Sequence, residues 1–353
     1  MTTDVFSGLT IEEAVARAMR EDRILLVDLT ASWCGPCQVM DRTTWRDTAV
    51  VSWVHQHAIA LKIDVQHHPE KERFRSASLP AVIALRDGEE IDRALGLHDA
   101  KQMLGWLEGL ARGVTSLDVA RARVAEAPHD VRARWTLIQR LTSDGVSEEG
   151  VEHLAWFWQH ALEHEPAFVG VRGSYCVELI ARLSKRSAAV HERFDAIRRT
   201  DVDRVGPTAT PSEVSDYLAL SIALDRHDDV DAWMDRASPE LLSRRELQPV
   251  IALRLEPYLE AEGRRREIAR LHPQPHRTFE WETAALQQLR ELPAELRARM
   301  PDIESDAGRR GARRITQLIE SLELAGREDE AISLRDALSR SPLATYLEDA
   351  DAE

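Results

Sequence analysis

Two cysteines offer the most direct chemistry in this sequence. Cys34 and Cys37 stand in Trp33-Cys34-Gly35-Pro36-Cys37, directly after the apolar run Ile24-Leu25-Leu26-Val27-Asp28-Leu29. A run of that kind, bounded by polar residues, reads as a buried strand. A cysteine pair at the end of a strand and the start of a helix is a dithiol poised for thiol–disulfide exchange. Pro36 suits the first helical turn, where its missing N–H costs nothing. Cys34 then lies at the helix N-terminus, where free N–H groups and the macrodipole favour a thiolate. The spacing sets the roles. Cys34, at the exposed end, attacks a substrate disulfide; Cys37, one turn on, attacks the Cys34 sulfur and releases the reduced substrate. Half of a zinc site is the competing reading. Zinc needs four ligands, and the third cysteine, Cys176, lies far away inside a helical pattern.

Other chemistry-bearing residues are weaker candidates. His153, His160 and His164 can share a helix face, but no third ligand pattern accompanies the pair His160/His164, so solvated or half-buried histidines are expected rather than a metal. Of Trp156, Phe157 and Trp158, one tryptophan must leave the core face, because neighbours on a helix diverge. Packing against the next helix competes there with a recognition surface. Cys176 reads as an inert core thiol, and Arg309, Arg310, Arg313 and Arg314 as a solvated helix face.

The elements that must position the dithiol are legible around it. Thr10 and Glu13 form a capping box, and Ile11, Ala14, Val15, Ala18 and Met19 recur at helical spacing. Strand 24–29 and the active-site helix follow. Helical stretches are predicted over 47–57 and 69–75, strands over 59–65, 81–85 and 90–94, a hairpin turn at 86–89, and an amphipathic helix over 99–110. The order βαβαββα makes a central mixed sheet with helices on both faces. Residues 6–112 resemble a thioredoxin-fold domain, through Val27-Asp28, Trp33 to Cys37, Asp64, Leu79-Pro80, Asp87-Gly88 and Gly96. The resemblance implies a cis Leu79–Pro80 bond packed against the dithiol, and a groove of Trp33, Gly35, Pro36, Leu79, Pro80 and Gly96 that receives a substrate polypeptide. It also implies that Asp28 is a buried proton acceptor for Cys37, with a pKa raised by burial. A strand-end carboxylate bonded to backbone is the alternative for Asp28. Met40 to Asp47 with Val50-Val51 resembles the interrupted helix of thioredoxin-like domains that end transmembrane disulfide reductases. Thr30 and Gln38 depart from the family pattern, where an aromatic and a basic residue are common, and both touch the electrostatics of the thiols.

Length and composition bound the rest. With 353 residues the chain needs more than one such domain. A net charge of −15 argues against nucleic acid and against an anionic membrane surface. Residues 1–23 carry Asp4, Glu12, Glu13, Glu21 and Asp22 rather than a basic and apolar signal, and no apolar run is long enough to span a membrane. Three cysteines without a disulfide framework fit a reducing compartment. The expected location is cytoplasmic.

Gly109, Gly113 and Val114-Thr115-Ser116 mark a boundary, so the expected domains are 1–113, α/β, and 114–353, all-α, with an internal break near 205–212. Asp144 to Gly150 and Ala325 to Ala331 each place a turn glycine five residues before a small residue. Each then runs through a helix to Pro166 or Pro342, and this resembles the tetratricopeptide repeat. Glu348 to Glu353 reads as a frayed acidic tail. The expected function is a protein-disulfide oxidoreductase acting through Cys34 and Cys37, with Asp28 as proton acceptor and no cofactor beyond the redox-active disulfide. Its partners are protein disulfides, an external reductase or thiol donor, and a protein bound by the helical domain. The alternative resembles the chaperedoxins, holdases whose helical domain carries the main function.

Overall fold

The computed structural model describes residues 5–68, 74, 79–143, 145–201, 205–206, 208–300 and 302–347. The chain divides into two compact units, Met1–Pro166 and Ala167–Glu353. The first contains helix α1 (Ile11–Arg20), strand β1 (Ile24–Thr30), α2 (Gly35–Arg42), α3 (Thr48–His57), β2 (Ala58–Asp64), β3 (Ala81–Arg86), β4 (Glu89–Leu95) and α4 (Ala100–Ala111). Helices α5 (Ser116–Glu126), α6 (Val131–Leu141) and α7 (Glu148–His164) complete it. Of the helix predicted at 69–75 only Phe74 is described; the acidic tail at 348–353 lies outside the described residues, as do Asp144 and Pro207.

The sheet order is β2-β1-β3-β4, with β1 parallel to β2 and antiparallel to β3. Central β1 is apolar but for Asp28 and Thr30, because both its faces are covered. Period-two alternation sends Ile24 and Leu26 to one core, with Met40, Trp45, Val54 and Leu107. Leu25, Val27 and Leu29 go to the other, with Ile11, Ala14 and Ile83. Asp28 therefore belongs to the Leu26 face. Asp87 and Gly88 both have positive φ, 55° and 84°, as a tight hairpin turn requires. The predicted capping box closes: the Thr10 hydroxyl accepts from Glu13 N–H and the Glu13 carboxylate from Thr10 N–H. Asp47 starts α3 by accepting from the N–H groups of Ala49 and Val50. The helix interruption is thus real: α2 stops at Arg42, a 3-10 turn spans Thr44–Arg46, and α3 begins afresh.

After Gly113 the described residues are mostly helical and none is in a strand. β4 is one of the two edge strands, and the following helices fasten to it. Asp92 accepts from Trp106 Nε1 (2.8 Å) and from Ser116 N–H (2.7 Å), and Arg140 donates to Arg93 O (2.8 Å). The second unit holds α8 (Val177–Ser184), α9 (Ala188–Asp201), α10 (Pro211–Ala223), α11 (His227–Arg236), α12 (Pro239–Leu242), α13 (Glu256–Ala261) and α14 (Arg265–Leu271). It ends with α15 (Pro275–Arg290), α16 (Ala294–Arg299), α17 (Ile303–Leu324) and α18 (Glu328–Ser339). Two π turns, Arg172–Cys176 and Ile251–Leu255, lead into α8 and α13. One core gathers Tyr217, Trp233, Leu255 and Leu259; another gathers Ile315, Leu318, Leu334 and Leu343. Among the described residues no helix is long and apolar enough to cross a membrane.

Candidate active site

The dithiol sits where β1 hands over to α2. Cys34 is the N-cap, with extended backbone (φ −82°, ψ 94°), and its sulfur accepts from Cys37 N–H at 3.2 Å. The two cysteines are joined as a disulfide with their Cα atoms 5.3 Å apart. One expectation changes here. Cys34 is only 3 % exposed, the same as Cys37, because in the disulfide both sulfurs pack with Ala31, Val65 and Leu79. The exposed group is Trp33, at 67 %, and Gly35 and Pro36 are also on the surface. The Leu79–Pro80 bond is cis, and Pro80 O accepts from Gly96 N–H at 2.8 Å, with Gly96 at φ 83°. Thr44, fully buried, donates to His98 O at 2.6 Å and so ties the helix interruption to the loop that follows Gly96. Leu79 thus lies against the dithiol, Trp33, Gly35 and Pro36 flank it, and Pro80 and Gly96 are hydrogen-bonded to one another.

Asp28 is buried, 3 % exposed, and its partner is a side chain rather than backbone. Lys62, opposite it in the β1–β2 register, places Nζ 3.2 Å from Asp28 Oδ2 and also binds Asp41 Oδ1 on α2. The same ammonium lies 4.8 Å from the centroid of the Phe6 ring. Burial raises the Asp28 pKa to about 7; Lys62 opposes that rise, and the Asp41 charge adds to it. Lys62 and Asp41 escaped the sequence reasoning. The available signal was the one lysine in the otherwise apolar stretch Ala58 to Ile63, paired across the sheet with the one carboxylate in β1. Gln38, at a position the family often fills with a basic residue, donates to Ser32 O at 2.9 Å, and the Ser32 hydroxyl donates to Gln66 (3.0 Å).

The remaining candidates are placed elsewhere. His153 pairs with Arg134 (2.7 Å), His160 with Glu163 (3.1 Å), and His164 stacks on Trp156 with rings 3° from parallel. Among the described residues no group of three His, Cys, Asp or Glu side chains is arranged to hold a metal. Trp158 and Phe157 are core; Trp156 is the tryptophan that leaves it, under the Arg134 guanidinium at 3.8 Å. Cys176 is fully buried, and burial pushes its thiol up to about 12. The arginine run is not one solvated face: Arg314 is buried and ion-paired to Glu256 and Glu282, because α17 packs that side inward.

Comparisons with known proteins fall on this same part of the chain. A family model described as Thioredoxin-like matches residues 7–86. The thioredoxin of Chlamydia trachomatis serovar D is 30% identical over 82 residues, 23% of this chain and 76% of that protein. Bovine mitochondrial thioredoxin is 27% identical over 95 residues, so the chain spans just over half (55%) of its length. Among solved structures, a Thermus thermophilus thioredoxin superposes with a TM-score of 0.27 at 22% identity, covering 33% of this chain and 92% of that one. Through its N-terminal domain, with the Cys34–Cys37 pair at the start of α2, the chain belongs to the thioredoxin family.

Proposed function

We propose that the protein is a thiol–disulfide oxidoreductase that reduces protein disulfides. The observation that carries the reading is the Cys34–Cys37 disulfide at a helix N-terminus, with a buried carboxylate of raised pKa on the adjoining strand. In the reduced protein the α2 N-terminus and the Cys37 N–H stabilise a Cys34 thiolate. That thiolate attacks one sulfur of a substrate disulfide; the S–S bond breaks, and the other substrate sulfur leaves as a thiolate. Asp28 takes the Cys37 proton, with Lys62 and Asp41 setting its affinity. Cys37 then attacks Cys34 Sγ, the mixed disulfide breaks, and the second substrate sulfur leaves. The substrate has gained two electrons and the Cys34–Cys37 disulfide is restored. An external reductase or thiol donor returns two electrons and two protons. Trp33, Gly35, Pro36, Leu79, Pro80 and Gly96 form the surface that receives the polypeptide, and no cofactor enters the cycle. Sparse cysteine usage outside the motif fits a reducing, cytoplasmic compartment.

The test is reduction of insulin disulfides with dithiothreitol as donor. Cys34→Ser abolishes the stimulated rate, and Cys37→Ser accumulates a mixed disulfide that dithiothreitol releases. A Cys34→Ser protein as active as the parent overturns the reading.

A second reading rests on the size of the helical series from Ser116 onward, which dithiol chemistry does not require. In it the tetratricopeptide-like helices bind clients and the dithiol protects client cysteines. Suppression of citrate synthase aggregation that survives in the Cys34→Ser/Cys37→Ser protein supports it; loss of all activity in that protein removes it.

A further inference from the structure

The second unit buries a group of polar side chains that thiol chemistry does not use. His272, 1 % exposed, has Nε2 2.9 Å from Glu256 Oε1 and Nδ1 2.9 Å from Thr278 Oγ1. The Thr278 hydroxyl lies 3.2 Å from Gln248 Oε1. Arg314 donates to Glu256 (2.7 Å) and to Glu282 (2.7 Å). Withdrawing this many charges from water is costly, and an apolar core of the same shape would serve stability as well or better. What the network does is brace one wall of a cleft. Gln248 ends it on one side. Trp281, whose ring lies 5.5 Å from the Arg314 guanidinium, ends it on the other. Both line a cavity of about 340 Å³ together with Ser243, Arg245 and Arg277. A neighbouring cavity of about 580 Å³ shares Ser243, Arg245 and Arg277 and adds Arg244.

The arginines are the second observation. Arg244 is held by Glu246 at 2.8 Å. Arg245 and Arg277 are exposed, and among the described residues neither has a carboxylate within ion-pair distance. Both face one cleft of a chain whose net charge is −15. Guanidinium forks match phosphate oxygens in pairs, a tryptophan face accepts a planar ring, and cavities of this size are those of small-molecule sites. Glu240 and Glu280 also line the cleft, so a bound anion must keep its charge on the arginines and turn an uncharged part toward these carboxylates.

We propose that this cleft binds a nucleoside phosphate or a ligand of the same chemistry, with its phosphate on Arg245 and Arg277 and its planar ring against Trp281. The site is separate from the dithiol and does not depend on the redox reading.

The experiment titrates the full chain into N-methylanthraniloyl-ADP and follows fluorescence anisotropy. Saturable binding is expected, weakened at least roughly tenfold in Arg245→Gln/Arg277→Gln. Trp281→Leu should weaken it similarly. ADP should displace the probe at lower concentration than adenosine or inorganic phosphate. Cys34→Ser/Cys37→Ser should bind as the parent does, and Arg245→Gln/Arg277→Gln should still reduce insulin at the parental rate. Both arginines are exposed, so the double variant keeps its fold, checked by circular dichroism. Absence of saturation overturns the proposal, as does binding unchanged in the arginine variant. Adenosine competing as well as ADP excludes the phosphate contact. A glutamate-rich peptide displacing the probe more readily than ADP assigns the cleft to acidic polypeptides instead.

Discussion

At the scale of single residues, the thiol site is governed by how three charges share one pocket. Asp28 is buried, Lys62 reaches it from β2, and Asp41 on α2 competes for the same ammonium. Removing Asp41 leaves Lys62 wholly to Asp28, so Asp41→Asn lowers the Asp28 pKa and moves the pH–rate profile of disulfide reduction to the acid side. Lys62→Met moves it to the alkaline side. Stopped-flow measurement of the tryptophan signal on oxidation, from pH 5 to 9, reads both; shifts of the same sign would contradict the arrangement. Asp28 also links pH to stability. Its folded pKa of about 7 lies above the ordinary aspartate value of 3.8. Between those values the unfolded chain has released a proton that the native state keeps, so stability falls as pH rises through this window. Asp28→Asn removes the cost: stabilisation of roughly 2–4 kcal/mol is expected at pH 8 and little at pH 4, by urea unfolding. The cysteine pair was legible because its meaning lies in local spacing; Asp28 entered only through the family resemblance. Lys62 and Asp41 were not legible, because their contact with Asp28 requires strand register and helix placement together. Arg314 misled for a related reason: in sequence it is one of four arginines within six residues, and only the packing of α17 sets it apart from exposed Arg310 and half-buried Arg309 and Arg313.

At the scale of elements, capping chemistry made the start of α1 readable, and the structure adds caps at the starts of α3 and α4. Thr10, Asp47 and Asp99 each cap the helix they precede, and the positive φ values at Asp87 and Gly88 are what the hairpin sequence demands. Asp47 is the cap that restarts the helix behind the dithiol. Asp47→Ala is expected to cost about 1 kcal/mol in chemical denaturation and to increase hydrogen exchange at Ala49 and Val50. The π turns at Arg172–Cys176 and Ile251–Leu255 were invisible in sequence, since a π turn keeps helical composition and changes only the hydrogen-bond count.

At the scale of the whole molecule, sequence and packing divide the chain by different criteria. Composition changes at Gly113, where strands end; compactness changes at Pro166. The 3-10 turn Pro342–Tyr346 is fastened by small residues on α17. The Tyr346 ring lies directly over Gly308, and Leu343 sits against Gly311, 3.0 Å from where a Cβ would be. Gly308→Ala would drive a methyl group into the ring. An expected loss of on the order of 1–3 kcal/mol follows, read as a lower melting temperature with α17 otherwise intact.

The fastening of α5 and α6 to β4 through Asp92 and Arg140 has a practical meaning for anyone who wishes to excise the redox module. A fragment ending at residue 113 would strip the cover from that edge strand and leave its backbone free to pair with other copies. Such a fragment should form soluble aggregates in light scattering after size exclusion, whereas one ending at residue 166 should run as a monomer. Monomeric behaviour of the shorter fragment would mean that those two helices are passengers rather than a guard against polymerisation.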